Sequence, residues 1–167
     1  MNLSRLALIG VTMVLGACSH GAPAPAPAPE DTSGRLELRF EASATLNPGA
    51  DGQPAPVRVR LFELKNSAAF AHADYFSLAD HAPATLTSDL LDQDELQLRP
   101  GETHTLKRQL NAATRHIALQ VGYRDLDHAA WRQVIDLPPS RSGVYRVNLD
   151  TQAVSSVELQ PSTGNTP

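Results

Sequence analysis

The chain has 167 residues, 41% of them hydrophobic and 19% charged, with a formal net charge of -4. That is enough for one domain with a real core. The negative balance and the lack of a basic patch interleaved with aromatics exclude a nucleic-acid binder. The single cysteine excludes an intramolecular disulfide, so the hydrophobic core alone must hold the domain.

Residues 1–17 read as a signal peptide. Arg5 is the charge of the n-region, and Leu6 to Leu15 is an apolar run. A membrane span takes about 20 apolar residues, so this run is too short and fits an h-region. It leads into Leu15-Gly16-Ala17-Cys18, which looks like the lipobox of a bacterial lipoprotein. Lipidation of Cys18 is favoured over an ordinary signal-peptidase site that would leave a free thiol. A diacylglyceryl group plus an N-acyl chain such as palmitate supplies the two signals that stable anchoring needs. Ser19 rather than Asp follows the cysteine, which implies sorting to the outer membrane.

Residues 18–33 read as a lipidated cysteine and a tether. Ala22 to Pro29 is four Ala-Pro repeats. Proline favours polyproline II, so eight such residues make a semi-rigid spacer of roughly 25 Å.

The folded domain is expected over 34–160. Leu36, Leu38, Phe40, Ala42 and Ala44 alternate with polar residues, which predicts a strand over Arg35 to Ala44. A second strand is predicted over Val57 to Leu64. The connection between them is long for a hairpin. In it Asn47-Pro48-Gly49 suits a type II turn, and Asp51-Gly52 a second reversal. From the residues alone, this segment reads equally well as a tolerated surface loop or a binding loop.

The rhythm breaks over 66–91, where short helical segments are expected. Ser67 and Asp74 are candidate N-caps, and Leu86 and Leu90 recur at helical spacing. Phe70, Tyr75, Phe76 and Leu78 are expected in the core. Strands then resume at Asp94 to Arg99, with a turn at Pro100-Gly101. Thr103 to Leu110 reads as partly irregular. Further strands are predicted at His116 to Tyr123, Trp131 to Leu137, Val144 to Leu149 and Val154 to Leu159, and 161–167 as a flexible tail. About eight short strands separated by turn signals predict an all-β fold, a β-sandwich of two antiparallel sheets with a small helical insertion.

No catalytic constellation stands out: neither G-x-S-x-G, nor H-E-x-x-H, nor a glycine-rich phosphate loop is present. Asp125, Asp127 and His128 crowd one turn and could bind a metal. A solvated hairpin explains them better. They are the best residues for an alternative reading, a periplasmic small-ligand or metal-binding lipoprotein. His104 and His116 have no carboxylate pattern to orient them, and Ser140 and Ser142 have no positioned base.

Taken in order, several features resemble the TssJ family of outer-membrane lipoproteins from type VI secretion systems. They are Cys18 with its tether, Ala44-Thr45-Leu46-Asn47, and Pro56 to Lys65. Ala73-Asp74-Tyr75-Phe76-Ser77-Leu78, Leu90-Leu91, Pro100-Gly101-Glu102, Gly122-Tyr123-Arg124 and Trp131-Arg132 follow. The resemblance spans Cys18 to about Leu159. It implies a transthyretin-like β-sandwich with a small helical addition, no enzymatic activity and no cofactor. It also implies a structural role: binding the periplasmic C-terminal region of the inner-membrane protein TssM and tying that complex to the outer membrane. In the family the loop between the first two strands is the principal contact. Here that loop is Asn47, Pro48, Gly49, Ala50, Asp51, Gly52, Gln53, Pro54 and Ala55. It holds no aromatic residue or Arg, which suggests a shape-led contact or help from a neighbouring loop.

Overall fold

In the computed structural model, which describes residues 34–159, the alternating segments become strands that share two layers. The signal peptide, Cys18, the tether and the 161–167 tail lie outside the described residues. The strands are β1 (Arg35–Ala42), β2 (Val57–Leu64), β3 (Leu90–Leu98), β4 (Thr103–Gln109), β5 (His116–Val121), β6 (Arg132–Asp136), β7 (Gly143–Leu149) and β8 (Val154–Glu158). Two helices, α1 (Ala68–His72) and α2 (Tyr75–Leu86), and a 3₁₀ turn (Thr87–Asp89) intervene between β2 and β3.

One sheet has the order β4-β1-β7-β8 and the other β3-β2-β5-β6. This is the two-sheet sandwich that the alternation predicts. All pairings are antiparallel except that of β1 with β7, which is parallel. The inward faces meet in one core, with Leu38 and Phe40 of β1 and Val147 of β7 against Val59 and Leu61 of β2 and Leu119 of β5. Each such side chain contributes about 1.5–3 kcal/mol by leaving water.

A second core lies on the outer face of the β2–β5 sheet. Phe62, Leu64 and Ala118 are covered there by Phe70 of α1 and by Leu78, Ala82 and Leu86 of α2. The helical insertion is thus a lid on one sheet, which explains why β5 is buried along nearly its whole length on both faces.

The helices start where short polar side chains stop the strand. Asp74 caps α2 as expected, its Oδ1 accepting from Ser77 N at 2.9 Å. At α1 the side-chain acceptor is Asn66 Oδ1, which takes the Ala68 N–H at 3.0 Å, and Ser67 makes no side-chain cap. Helix α2 runs on through Pro83 with a kink at His81. Pro83 has no N–H to offer the carbonyl four residues back. That carbonyl, Ala79 O, accepts instead from Arg60 Nη1.

Three expectations fail for identifiable reasons. Leu90 and Leu91 belong to β3 and not to a helix: backbone pairing of Leu64 with Leu90, across a register shift that leaves Leu91 of β3 as the extra residue, outweighs the helical spacing. Thr103–Gln109 is a regular edge strand along β1, polar because most of it faces water. Phe76 is not in the core but 64% exposed, because the inward face of α2 is taken by Leu78, Ala82 and Leu86 and position 76 falls on the opposite side.

Candidate partner-binding loop

The chain enters the domain at Gly34. A Cβ there would come 2.0 Å from Arg141 O, and Gly34 O accepts from Leu110 N at 2.8 Å. β1 then crosses the sandwich, a run of roughly 25 Å for eight residues. The long connection therefore emerges at the pole opposite the point of entry. The same pole gathers the turn before β4, where Gly101 N bonds Ser43 O, the β5–β6 loop and the β7–β8 turn.

Within the loop, the expected type II turn at Asn47-Pro48-Gly49 does not form. Left-handed φ values occur at Asn47 (50°) and Gly52 (73°), not at Gly49. The reversal is Gly49 to Gly52. Gly52 N donates to Gly49 O at 2.9 Å, and Gly49 N to Gln53 O at 2.9 Å. Asp51 Oδ1 accepts from Gln53 N at 3.1 Å. This is a tight hairpin tip that Gly52 permits at no steric cost. At its base Ala55 N donates to Leu46 O at 3.0 Å.

Asn47 fixes this hairpin to the domain. It is only 3% exposed. Its Nδ2 donates to Pro56 O at 3.0 Å, and its Oδ1 accepts from Arg124 N at 2.8 Å. Its own N–H donates to Thr151 O at 2.9 Å. One side chain and its backbone thus join the far end of the loop, the β5–β6 loop and the β7–β8 turn. Thr45 Oγ1 reinforces the last link with a 2.8 Å bond to Thr151 Oγ1.

The nine loop residues accordingly divide. Asn47 and Ala55 are buried and shape the loop, Pro48 and Gly49 are half-buried, and Ala50, Asp51, Gly52, Gln53 and Pro54 are exposed at the tip. Gly49 has no side chain, and this leaves room for two neighbours: a Cβ there would come 2.6 Å from Arg124 Nη1 and 2.7 Å from Asp51 Oδ1. Arg124 thus brings a guanidinium to a loop that has none of its own. Sequence reading alone did not single out Arg124 or Thr151 as loop partners. They lie 77 and 106 positions from Asn47 and Thr45, and no local pattern reports a contact at that range.

The Asp125, Asp127 and His128 cluster lies beside this pole. His128 Nδ1 sits 2.8 Å from Asp125 Oδ1, and Gln152 Nε2 donates to Asp125 at 3.4 Å. The hydrogen bond and charge of Asp125 raise the His128 pKa above its ordinary value, and His128 lowers that of Asp125. Asp125 is thereby engaged by an imidazole. Among the described residues no three His, Cys, Asp or Glu side chains come together to hold a metal ion. His116 does have a carboxylate: its Nδ1 lies 2.7 Å from Asp136 Oδ1 across the β5–β6 pair. The hydroxyl of Ser142 accepts from Arg35 N at 3.0 Å and helps close the turn where the chain enters.

Among the described residues no helix is long and apolar enough to cross a membrane. No curated protein matches the chain at a significant level. Solved structures do. The type VI secretion lipoprotein TssJ1 from Pseudomonas aeruginosa is 45% identical, with a TM-score of 0.75 over 77% of this chain and 98% of that one. Serratia marcescens Lip, a membrane-bound component of the type VI secretion system, is 30% identical with a TM-score of 0.71, over 76% and 99%. A chain of a type VI membrane complex shares the fold at 24% identity and a TM-score of 0.67, over 74% and 98%. The family model T6SS-SciN, described as type VI secretion lipoprotein, VasD, EvfM, TssJ, matches residues 34–152. The chain belongs to this family of type VI secretion lipoproteins.

Proposed function

We propose that this lipoprotein anchors a type VI secretion membrane complex at the outer membrane, by binding the periplasmic C-terminal region of a TssM-type inner-membrane protein through the Asn47–Ala55 loop. Cys18 carries the lipid in this reading, and the Ala-Pro tract sets the reach. The reading assigns the chain no catalytic step and no cofactor.

The observation that carries it is the polarity of the domain. The chain enters at Gly34, and the pinned hairpin stands at the other end of β1. The hairpin therefore lies at the far end of β1 from the point where the chain joins the domain, clear of that attachment and open to a partner. Fixing the tip by Asn47 and Gly52 before binding reduces the entropy lost on docking. The shape of Gly49 to Pro54, with Arg124 beside it, supports a contact led by shape and backbone with one cation.

Deleting Asp51 to Pro54 tests the reading. The Ala55–Leu46 bond already holds the loop ends together at 3.0 Å, so the shortened loop closes without disturbing the sandwich. Capture of the TssM periplasmic region should be lost and the thermal midpoint nearly retained. Undiminished capture would remove the loop from the interface.

A further inference from the structure

Among the described residues, the large apolar side chains left exposed are Phe76, at 64%, and Val157. Phe76 stands in the first turn of α2, and three observations set it apart from a casual surface residue.

The first is its support. The Phe76 ring meets Tyr75 edge-on, with centroids 5.4 Å apart. Tyr75 in turn meets Trp131 edge-on at 5.2 Å. The Arg132 guanidinium lies 4.0 Å above the Trp131 ring and donates to Phe70 O at 3.3 Å. Gln120 Nε2 fixes the Tyr75 carbonyl at 2.8 Å, and Asp74 caps the same turn. An apolar ring held on a braced aromatic platform loses little conformational freedom when a partner covers it.

The second is its place. Tyr75 Oη lies 3.0 Å from where a Cβ of Gly122 would be. Gly122 leads through Tyr123 to Arg124, whose N–H is held by Asn47 and whose guanidinium borders Gly49. Phe76 is therefore continuous with the hairpin across Tyr75, Gly122 and Arg124. A standard interface covers about 800 Å² per partner and so reaches well beyond one hairpin tip. The third is the pole. Phe76 shares the loop's end of the sandwich, away from Gly34, because Tyr75 beside it is held by Gln120 and reaches Gly122 at the end of β5.

We infer that Phe76, on its Tyr75–Trp131–Arg132 platform, is the apolar anchor of the partner-binding surface, and that it fills an apolar pocket on the same periplasmic protein region that the Asn47–Ala55 hairpin engages. This rests on the reading above and adds what the hairpin lacks. Interface energy concentrates in a few aromatic and Arg side chains, and the hairpin has neither.

The test uses the full-length lipoprotein in detergent and the TssM periplasmic region as probe. Three forms are compared: the parent, the Asp51–Pro54 deletion and Phe76→Ser. The Phe76 ring projects into solvent, so Phe76→Ser should keep the parent's thermal midpoint while binding roughly thirtyfold more weakly. A loss of less than about fivefold, with the hairpin deletion still abolishing binding, overturns the inference and leaves the proposed function standing. Absence of binding by the parent itself overturns both. A photoreactive benzoylphenylalanine at position 76 gives an independent reading: it should crosslink to the probe, and crosslinking only to lipid or to nothing refutes the assignment.

Discussion

Replacing Asn47 by Ala should loosen the partner-binding hairpin from the domain, although residue 47 itself is buried. The substitution removes the acceptor of the Arg124 N–H and the donor to Pro56 O, bonds of 2.8 and 3.0 Å. Leaving each group without its partner costs about 1 kcal/mol, the lower end of the range because both sites are partly open to water. Ala at φ 50° adds about 1 kcal/mol, since Asn tolerates the left-handed region through local hydrogen bonding and Ala does not. The sum is about 3 kcal/mol, or a fall in Tm of about 10 °C for a domain of this size. Asn47→Gly keeps the backbone comfortable and loses the same two bonds, so it should be about 1 kcal/mol more stable than Asn47→Ala. Thermal and urea unfolding of the three forms measures both differences. A loss below about 1 kcal/mol in Asn47→Ala, or no gap between Ala and Gly, would refute the reasoning. Partner affinity should fall in both variants.

Three other substitutions probe the domain that carries the loop. Glu63 is 1% exposed, accepts from Thr114 Oγ1 at 2.8 Å and Asn111 N at 3.1 Å, and pairs with Arg108 Nε at 2.9 Å. Glu63→Ala should cost about 2–4 kcal/mol in urea unfolding, because it leaves the Thr114 hydroxyl and the Asn111 N–H without their charged acceptor, while Arg108 keeps Asp92 at 2.7 Å. Combining it with Arg108→Ala should cost less than the sum of the two, and strict additivity would show that the pair is not coupled. His128 should titrate above its ordinary value, and Asp125→Asn should bring it back, as followed by the ring resonances in NMR. An unmoved titration would refute the pairing. The sign follows from the two shifts. The pair's contribution to folding is present below the ordinary His value and fades as pH rises through the raised one. It is present above the ordinary Asp value and fades as pH falls through the lowered one.

Period-two alternation made the strands legible because each has one face on a core. The same rule carries Glu63 inward in phase with Val57, Val59 and Leu61. The alternation was too weak to show Thr103–Gln109, where an edge strand faces mostly water, and helical spacing misled at Leu90, where cross-strand pairing decided otherwise. The position of Phe76 was not legible, since helical phase alone does not say which ring of Tyr75-Phe76 meets the sheet. The loop was found by its length, but its shape was not. The left-handed residues turned out to be Asn47 and Gly52 because Asn47 answers to Arg124 and Thr151, partners distant in sequence. The β-sandwich aligned these contacts, and no local turn rule could.

The most direct test of the central claim is the affinity of the TssM periplasmic region for the full-length lipoprotein, measured in detergent with and without Asp51 to Pro54. Saturable binding by the parent, lost in the deletion while the thermal midpoint stays within a few degrees, is the expected result. Equal binding by both forms, or none by the parent, would contradict it.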